Sequence, residues 1–422
     1  MGVATSLRPD KTAGSDIAAL LRAEGVHSVY QPIVDLESGS VVAVEALARG
    51  PEGPLHMPAA LFPAAAAAGL AAELEWACRA AALRGAVTDR LPRGVALFIN
   101  AEPSHLGTTP PMAVRLLETQ VRQRAQVVLE LTERELVRRP ADVLRAVYAA
   151  REMGWGIALD DLGVEPASLA LMPVVRPDVV KLDMSLIQQR PSAATARVAG
   201  AVAAYAEESG AHVLAEGIET DLHLEQAIAL GATLGQGWRF GRPGPLDQVA
   251  RLRCDPIPLI RDIDPPCNSS PFELVGRKMA TRIARKSQLI AMSHHLEGQA
   301  VEHATPPLLL AAFEDAEFFT PATQQRYARY AVASPLVAAF GVGLSEEPAP
   351  GVRGEHLDST DPLASEWTVV VLGPHFAGAL IARDLGDPRE SDDRRFEFAV
   401  THDRRRVTTA ARSLVERIAA TP

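Results

Sequence analysis

Six short apolar, β-rich runs in this 422-residue chain end on a polar residue able to hold a metal or a phosphate. Val-Val-Ala-Val precedes Glu45, Ala-Leu-Phe-Ile precedes Asn100, and Val-Val-Leu precedes Glu130. Ile-Ala-Leu precedes the pair Asp160-Asp161, Val-Val-Lys-Leu carries Lys181 and ends on Asp183, and His-Val-Leu-Ala precedes Glu216. Glu45, Asn100, Glu130 and Asp160 make an oxygen-only set, which suits Mg²⁺ or Mn²⁺ better than zinc. Asp161 adds a ligand for a second ion. Paired ions roughly 3.5–4 Å apart activate a water and steady both oxygens of an in-line phosphodiester displacement. Lys181 is placed to orient that water or to neutralise phosphate, and Glu216 to act as ligand, general base or both. A plainer alternative has each residue capping its strand or pairing with a nearby arginine. Five or more uncompensated carboxylates at one mouth are costly without a cation, so that alternative fails for the set.

Such a site needs a frame that brings the run ends to one side. Ala-rich stretches with helical spacing separate the runs, and this alternation predicts a parallel sheet. Eight strands are expected: Ser28–Asp35, Val41–Arg49, Val95–Asn100, Gln126–Leu131, Gly156–Asp161, Val179–Asp183, Ala211–Glu216 and Thr233–Phe240. Eight is the number that closes an α/β barrel, whose chemistry sits at the C-terminal ends of its strands. A short helix, Asp16 to Glu24, precedes them and ends at Gly25. The first two strands are joined by a tight Gly-containing turn, Glu37 to Ser40, and must therefore be antiparallel.

The barrel pattern occupies residues 1–250. Residues 251–270 read as a linker, since the stretch Asp255 to Pro271 holds five prolines. Residues 271–422 read as a second, α+β or α/β domain. Helices are expected over Pro271–Leu296, Pro321–Ala333 and Val407–Ala419, and strands over Leu336–Val342, Trp367–Leu372, Ala379–Asp384 and Phe396–Thr401. A polar loop, Ser345 to Pro362, lies among them, and no internal repeat links the halves.

Hydrophobic residues at 47% and charged residues at 22% describe a globular chain. A net charge of −10 argues against coating a nucleic-acid polymer. The one basic stretch, Arg404-Arg405-Arg406, reads as a solvated helix start. Three scattered cysteines give neither a disulfide framework nor a zinc site. The Ala59–Ala86 stretch is too interrupted for a membrane span, and no signal pattern opens the chain. The expectation is a cytoplasmic protein without membrane contact.

The segment Glu45-Ala46-Leu47-Ala48-Arg49 resembles the signature of the EAL-domain family, the cyclic di-GMP-specific phosphodiesterases. The resemblance runs over roughly residues 10 to 250. It includes Tyr30-Gln31-Pro32-Ile33, Phe98-Ile99-Asn100, Glu130-Leu131-Thr132-Glu133, Asp160-Asp161 and Lys181-Leu182-Asp183. It continues through Ala215-Glu216-Gly217-Ile218-Glu219-Thr220 and Gln236-Gly237 and closes at Phe240-Gly241-Arg242-Pro243. It implies a barrel with an antiparallel first strand that opens cyclic di-GMP to linear pGpG with two Mg²⁺ or Mn²⁺ ions. It implies metal ligation by Glu45, Asn100, Glu130, Asp160, Asp161 and Glu216, and catalysis by Lys181, Glu216 and Glu45. Gln31, Leu47, Arg49, Asp183, Gln236 and Pro243 would face the dinucleotide, Arg49 through a phosphate. Gln236 would also stand in the outer shell of the metals, and Glu133 would anchor a loop. A homodimer through the barrel belongs to the same picture.

One block departs. After the aspartate pair the family reads Phe-Gly-Thr-Gly-Tyr-Ser-Ser, whereas this chain reads Leu162-Gly163-Val164-Glu165-Pro166-Ala167-Ser168. Glu165 in place of a glycine, and then Pro166, stiffen a loop that in the family links metal binding to the dimer. Low activity, or control by other contacts, is the expected consequence. The competing expectations are a receptor that binds cyclic di-GMP without turnover and a degenerate scaffold that binds nothing.

From about residue 268 the chain resembles, more diffusely, the DICT sensory domain that accompanies cyclic di-GMP enzymes and two-component proteins. The cues are the stretch Phe272–Leu296 with Arg277, Lys278 and His294-His295, then Phe313-Glu314-Asp315 and the strands around Trp367 and Ala379. Adjacent histidines on a helix point apart and chelate one ion poorly. Phe313, Phe318 and Phe319 read as core. No cyclase signature, Walker loop or DNA-reading helix is evident.

Overall fold

The computed structural model describes residues 11–89, 91–102, 110–163, 166–249, 257–259, 269–302, 305–388 and 393–419. A helix, Lys11–Arg22, precedes eight strands that close a barrel in sequence order. They are β1 (His27–Asp35), β2 (Val41–Arg49), β3 (Ala96–Asn100), β4 (Val127–Thr132), β5 (Gly156–Leu162), β6 (Val179–Leu182), β7 (His212–Ala215) and β8 (Leu234–Gln236). β1 runs antiparallel to both β2 and β8, while β2 pairs β3 and β3 pairs β4 in parallel. The hairpin turn uses Gly39 at φ 69, where a left-handed residue closes the Gly39 N–H onto the Asp35 carbonyl at 2.9 Å.

β8 is shorter than the Thr233–Phe240 run suggested. Past Gln236 the chain crosses over Ile218, and a Cβ on Gly237 would lie 2.1 Å from the Ile218 carbonyl oxygen. Arg239 donates its N–H to that same oxygen at 3.1 Å, so the backbone turns away from the ladder. Close approach there requires glycine. On the outer side, the helix Ala71–Thr88 is keyed to β1 through Tyr30, whose hydroxyl donates to the Ala82 carbonyl at 2.9 Å.

The chain divides into two compact units. One holds residues 1–131, 149–158 and 214–261; the other holds 132–148, 159–213 and 262–422. In the second unit a seven-stranded sheet has the order β12-β11-β10-β13-β14-β15-β9. Its members are β9 (Arg282–Arg285), β10 (Leu308–Asp315), β11 (Val337–Val342), β12 (Arg353–His356), β13 (Glu366–Leu372), β14 (Ala377–Asp384) and β15 (Arg395–Thr401). β10, β11 and β12 are parallel neighbours, and the remaining pairs are antiparallel.

Two expectations for this region are corrected, and one strand absent from them is added. The single helix Pro271–Leu296 is instead a short helix Pro271–Leu274, a 3₁₀ turn Gly276–Lys278, strand β9 and a helix Lys286–Glu302. Thr281 and Ile283 bring β-branched alternation that suits the edge beside β15. The loop Ser345–Pro362 contains β12, which pairs with β11 at the other edge. The fully apolar run Leu308–Phe313 is the buried strand β10, without the alternation that marks a half-exposed one. The helix Pro321–Ala333 agrees with its expected span, and the last helix runs Arg404–Val415.

Alternate residues of β10 divide the two faces of the sheet. Leu309, Ala311 and Phe313 join Leu289, Leu296 and Ala300 of Lys286–Glu302 and Tyr327 and Tyr330 of Pro321–Ala333 in one core. The helix Arg404–Val415 packs on β13 and β14 from the other face. Arg404 is not merely solvated at its start: its Nε lies 3.1 Å from Glu208 and its guanidinium donates to the Gly373 and Pro374 carbonyls.

Also in the second unit, Arg412 of that helix donates to the carbonyls of Val174 at 2.7 Å and Pro173 at 3.2 Å. Arg353 donates to the carbonyls of Val137 at 2.9 Å and Arg138 at 3.1 Å. The Cys78 thiol is half-buried, and burial with nearby Glu75 pushes its pKa up to about 12. Among the described residues, no helix is long and apolar enough to cross a membrane.

Candidate active site

The residues singled out from the sequence fall in both compact units, and each group is organised by the strands that carry it. In the first unit the centre is Glu45 on β2, buried to 7% exposure. Asn100, the last residue of β3, donates its Nδ2 to Glu45 Oε1 at 3.3 Å. Gln236, the last residue of β8, donates its Nε2 to Glu45 Oε2 at 2.7 Å and lies 3.3 Å from Gln31 Oε1. Gln31 stands opposite Glu45 in the β1–β2 register and donates to the Gly241 carbonyl at 3.2 Å. Glu130 sits beside Asn100 across the β3–β4 ladder and is 1% exposed. Five strands, β1, β2, β3, β4 and β8, thus deliver side chains to one patch.

This patch has a built-in orientation. An amide that gives its NH₂ to a carboxylate presents its carbonyl oxygen elsewhere. Glu45, Glu130 and Asn100 are therefore all oxygen donors, the two carboxylates buried among apolar strand residues and Asn100 exposed at the end of β3. Such a donor set fits a hard divalent cation and would reject a soft one.

Leu47 and Arg49 follow on β2, both half-buried. The Arg49 guanidinium donates to the Ala48 carbonyl at 2.8 Å, and burial lowers its pKa from the ordinary value while leaving it charged at neutral pH. Pro243 lies next to Gly244, which exchanges both backbone hydrogen bonds with Tyr30 at 2.7 and 3.0 Å. Glu216 follows β7 directly and is half-buried.

In the second unit the centre is an ion pair. Lys181 of β6, 1% exposed, places its Nζ 2.8 Å from Asp160 Oδ1 on β5. Asp161 is exposed and held at φ 58, a left-handed conformation that a non-glycine residue adopts at a cost. Asp183 caps the helix Met184–Gln188, its carboxylate accepting from the Ser185 N–H at 2.8 Å. That capping role was not visible from the run that ends on it.

Val164 and Glu165, the centre of the departing loop, lie outside the described residues. Gly163 before them has φ 109 and no room for a side chain, since a Cβ would meet Leu186 at 2.6 Å. After them the chain forms a 3₁₀ helix, Pro166–Leu171, and the short helix Met172–Val175. The helix Glu133–Arg138 packs against this 3₁₀ segment; the Glu133 side chain lies outside the described residues.

Residues 15–243 match the sequence model of the EAL domain, and residues 274–385 match that of DICT, described as a sensory domain in diguanylate cyclases and two-component systems. The chain is similar to the cyclic di-GMP phosphodiesterase PA2567 of Pseudomonas aeruginosa, at 34% identity over 226 residues, 52% of this chain and 38% of that protein. It is also similar to the cyclic di-GMP phosphodiesterase RocR of Pseudomonas aeruginosa, at 30% identity over 226 residues, 51% of this chain and 57% of that one. These alignments thus span only about half, or less, of those relatives' length. Among solved structures, a cyclic di-GMP complex of the PaMucR phosphodiesterase aligns with a TM-score of 0.49 at 25% identity, covering 56% of this chain and 99% of that one.

Proposed function

Because the chain belongs to the EAL-domain family, we propose that it hydrolyses cyclic di-GMP to linear pGpG with two Mg²⁺ or Mn²⁺ ions, under the control of its C-terminal domain. The observation that carries this reading is the Glu45 network, in which amides from β3 and β8 fix one buried carboxylate beside a second, Glu130. We assign metal ligation to Glu45, Asn100, Glu130, Asp160, Asp161 and Glu216. Bound divalent cations would supply Lewis acidity toward the phosphodiester and toward the attacking water.

The remaining roles belong to the chain's own side chains. Asn100 and Gln236 hold Glu45 in one rotamer, so no reorganisation is needed when substrate arrives. Lys181 has three donors, of which one is directed at Asp160; we assign another to the attacking water, held in line with the scissile bond. Glu216 acts as ligand and as acceptor for the proton of that water. Arg49 takes a phosphate of the dinucleotide through its fork of N–H donors, with Gln31, Leu47, Asp183 and Pro243 lining the remainder.

Purified full-length protein is expected to convert cyclic di-GMP to pGpG with Mg²⁺ or Mn²⁺, read by chromatography. Glu45→Ala is expected to lower kcat/KM by at least about a thousandfold, since it removes a ligand and unmoors two amides. Retained turnover in that variant would sink the ligand assignment. A receptor reading is favoured by one feature, the altered block after Asp161 with its 3₁₀ helix. Tight binding of cyclic di-GMP without product would select it over the enzyme.

A further inference from the structure

A cavity of about 330 Å³ opens between the C-terminal sheet and the helices Lys286–Glu302 and Pro321–Ala333. Its walls are aromatic, with the rings of Phe313, Phe318, Trp367 and Phe396. Phe319, by contrast, lies in the core and meets Phe313 edge-on at 5.0 Å. The expectation that all three phenylalanines are simple core therefore holds for Phe319, while Phe313 and Phe318 also face a space.

Two buried ion pairs stand among these rings. Glu297 accepts from Arg326 at 2.7 Å on one oxygen and from Ser293 at 2.8 Å and Tyr327 at 3.1 Å on the other. Arg394, 1% exposed, gives one nitrogen to both Glu314 at 2.8 Å and Asp384 at 2.7 Å. Its guanidinium lies 5.2 Å from the Phe318 ring centroid and 5.0 Å from that of Phe396. The carboxylates are engaged, but the Arg394 Nε is buried without an acceptor among the described residues. An unsatisfied buried donor costs on the order of 1–3 kcal/mol, which a ligand acceptor would offset. Lys286 is half-buried with its Nζ 5.5 Å from the Phe318 centroid, and among the described residues no carboxylate pairs with it. The carboxylates on the cavity wall, Glu297 and Glu314, already accept from Arg326, Tyr327 and Arg394. What it offers is two cationic donors and a stack of π faces.

We propose that this cavity is a ligand site of the C-terminal domain and that it takes a one- or two-ring aromatic carboxylate. The ring inserts among Phe318, Trp367 and Phe396, and the carboxylate meets Lys286 and the Arg394 Nε. An aromatic amine would oppose Lys286 and leave the Arg394 donor unmatched. The volume stands at the lower end of the range for small-molecule sites, roughly 300–1,000 Å³, which suits a one- or two-ring ligand.

Calorimetric titration of the full-length chain with benzoate, 2-naphthoate and indole-3-carboxylate tests this, each beside its primary amide and its aminomethyl counterpart. At least one acid is expected to bind, its amide roughly tenfold more weakly and its amine not measurably, as expected for loss of a charge-assisted bond. Lys286→Met is expected to erase the preference for acid over amide. Ala322→Trp, at an exposed position on the cavity wall, is expected to block all of them. Both positions lie outside the packed core, and circular dichroism checks that each variant folds. Absence of binding by any acid at millimolar concentration overturns the proposal. So does equal binding of amide or amine, or unchanged affinity in both variants.

Discussion

Glu45 is the residue on which three other strands act: Asn100 from β3, Gln236 from β8 and, through Gln236, Gln31 from β1. These bonds fix the orientation of its carboxylate. Gln236 is buried and donates to Glu45, so its effect on that carboxylate should be one of positioning. Gln236→Ala is expected to weaken metal affinity and turnover by about ten- to a hundredfold, with thermal stability little changed. Isothermal titration with Mn²⁺ reads the first and product formation the second; unchanged metal affinity would contradict the role. Glu45 and Asn100 were legible in the sequence because each ends an apolar run, a purely local signal, whereas Gln31 and Gln236 were expected only from the family resemblance. The Arg394–Glu314 pair was not legible, because the partners are 80 positions apart and the motif around Glu314 says nothing of where its carboxylate points. Asp183 was only partly legible: its run announced a polar tip, but its helix cap appears only once the next turn is folded.

At the scale of elements, the expected strand β2 coincides with the observed one, and the other barrel strands differ from expectation mainly at their ends. Strand ends depend on where neighbours stop pairing, as the crossing at Gly237 shows for β8. The C-terminal sheet was harder to read because its edges, β9 and β12, are four residues long and gain their strand character from pairing. The entry to this sheet is tied by Glu366 at the start of β13, which accepts from the Ser270 hydroxyl and from the Phe272 N–H at 3.1 Å. Burial dominates and raises the Glu366 pKa from 4.5 to about 7. The folded chain therefore holds this proton more tightly than the unfolded chain. The resulting stabilisation is full below about pH 4.5 and is lost as pH rises to about 7, roughly 3 kcal/mol in all. Denaturant midpoints of the full chain should accordingly fall from pH 5 to pH 8. Glu366→Gln, which keeps the shape of the protonated acid, should flatten that fall. An equally steep fall in the variant would assign the pH dependence to other groups.

For the whole molecule, the boundary in sequence near residue 250 is not the boundary in compactness. Residues 159–213, which carry Asp160, Asp161 and Lys181, belong to the same compact unit as the C-terminal sheet. Deleting residues 251–422 is thus expected to lower stability rather than simply to release a regulated enzyme. A milder version is Arg412→Ala, which strips the Val174 and Pro173 carbonyls of buried charge-assisted bonds. It should cost about 2–4 kcal/mol in unfolding free energy, with Arg412→Lys restoring only part, because an ammonium cannot reproduce the guanidinium fork. A loss below about 0.5 kcal/mol would show these bonds to be incidental.

Arg412 and Arg353 have one further property in common: the four bonds described from them to the segments 137–138 and 173–174 end on main-chain oxygen. A grip on backbone is blind to side-chain identity. The segment it holds can drift in sequence, exchanging residues generation after generation, without loosening the hold. Selection there acts on the path of the chain and leaves its lettering open.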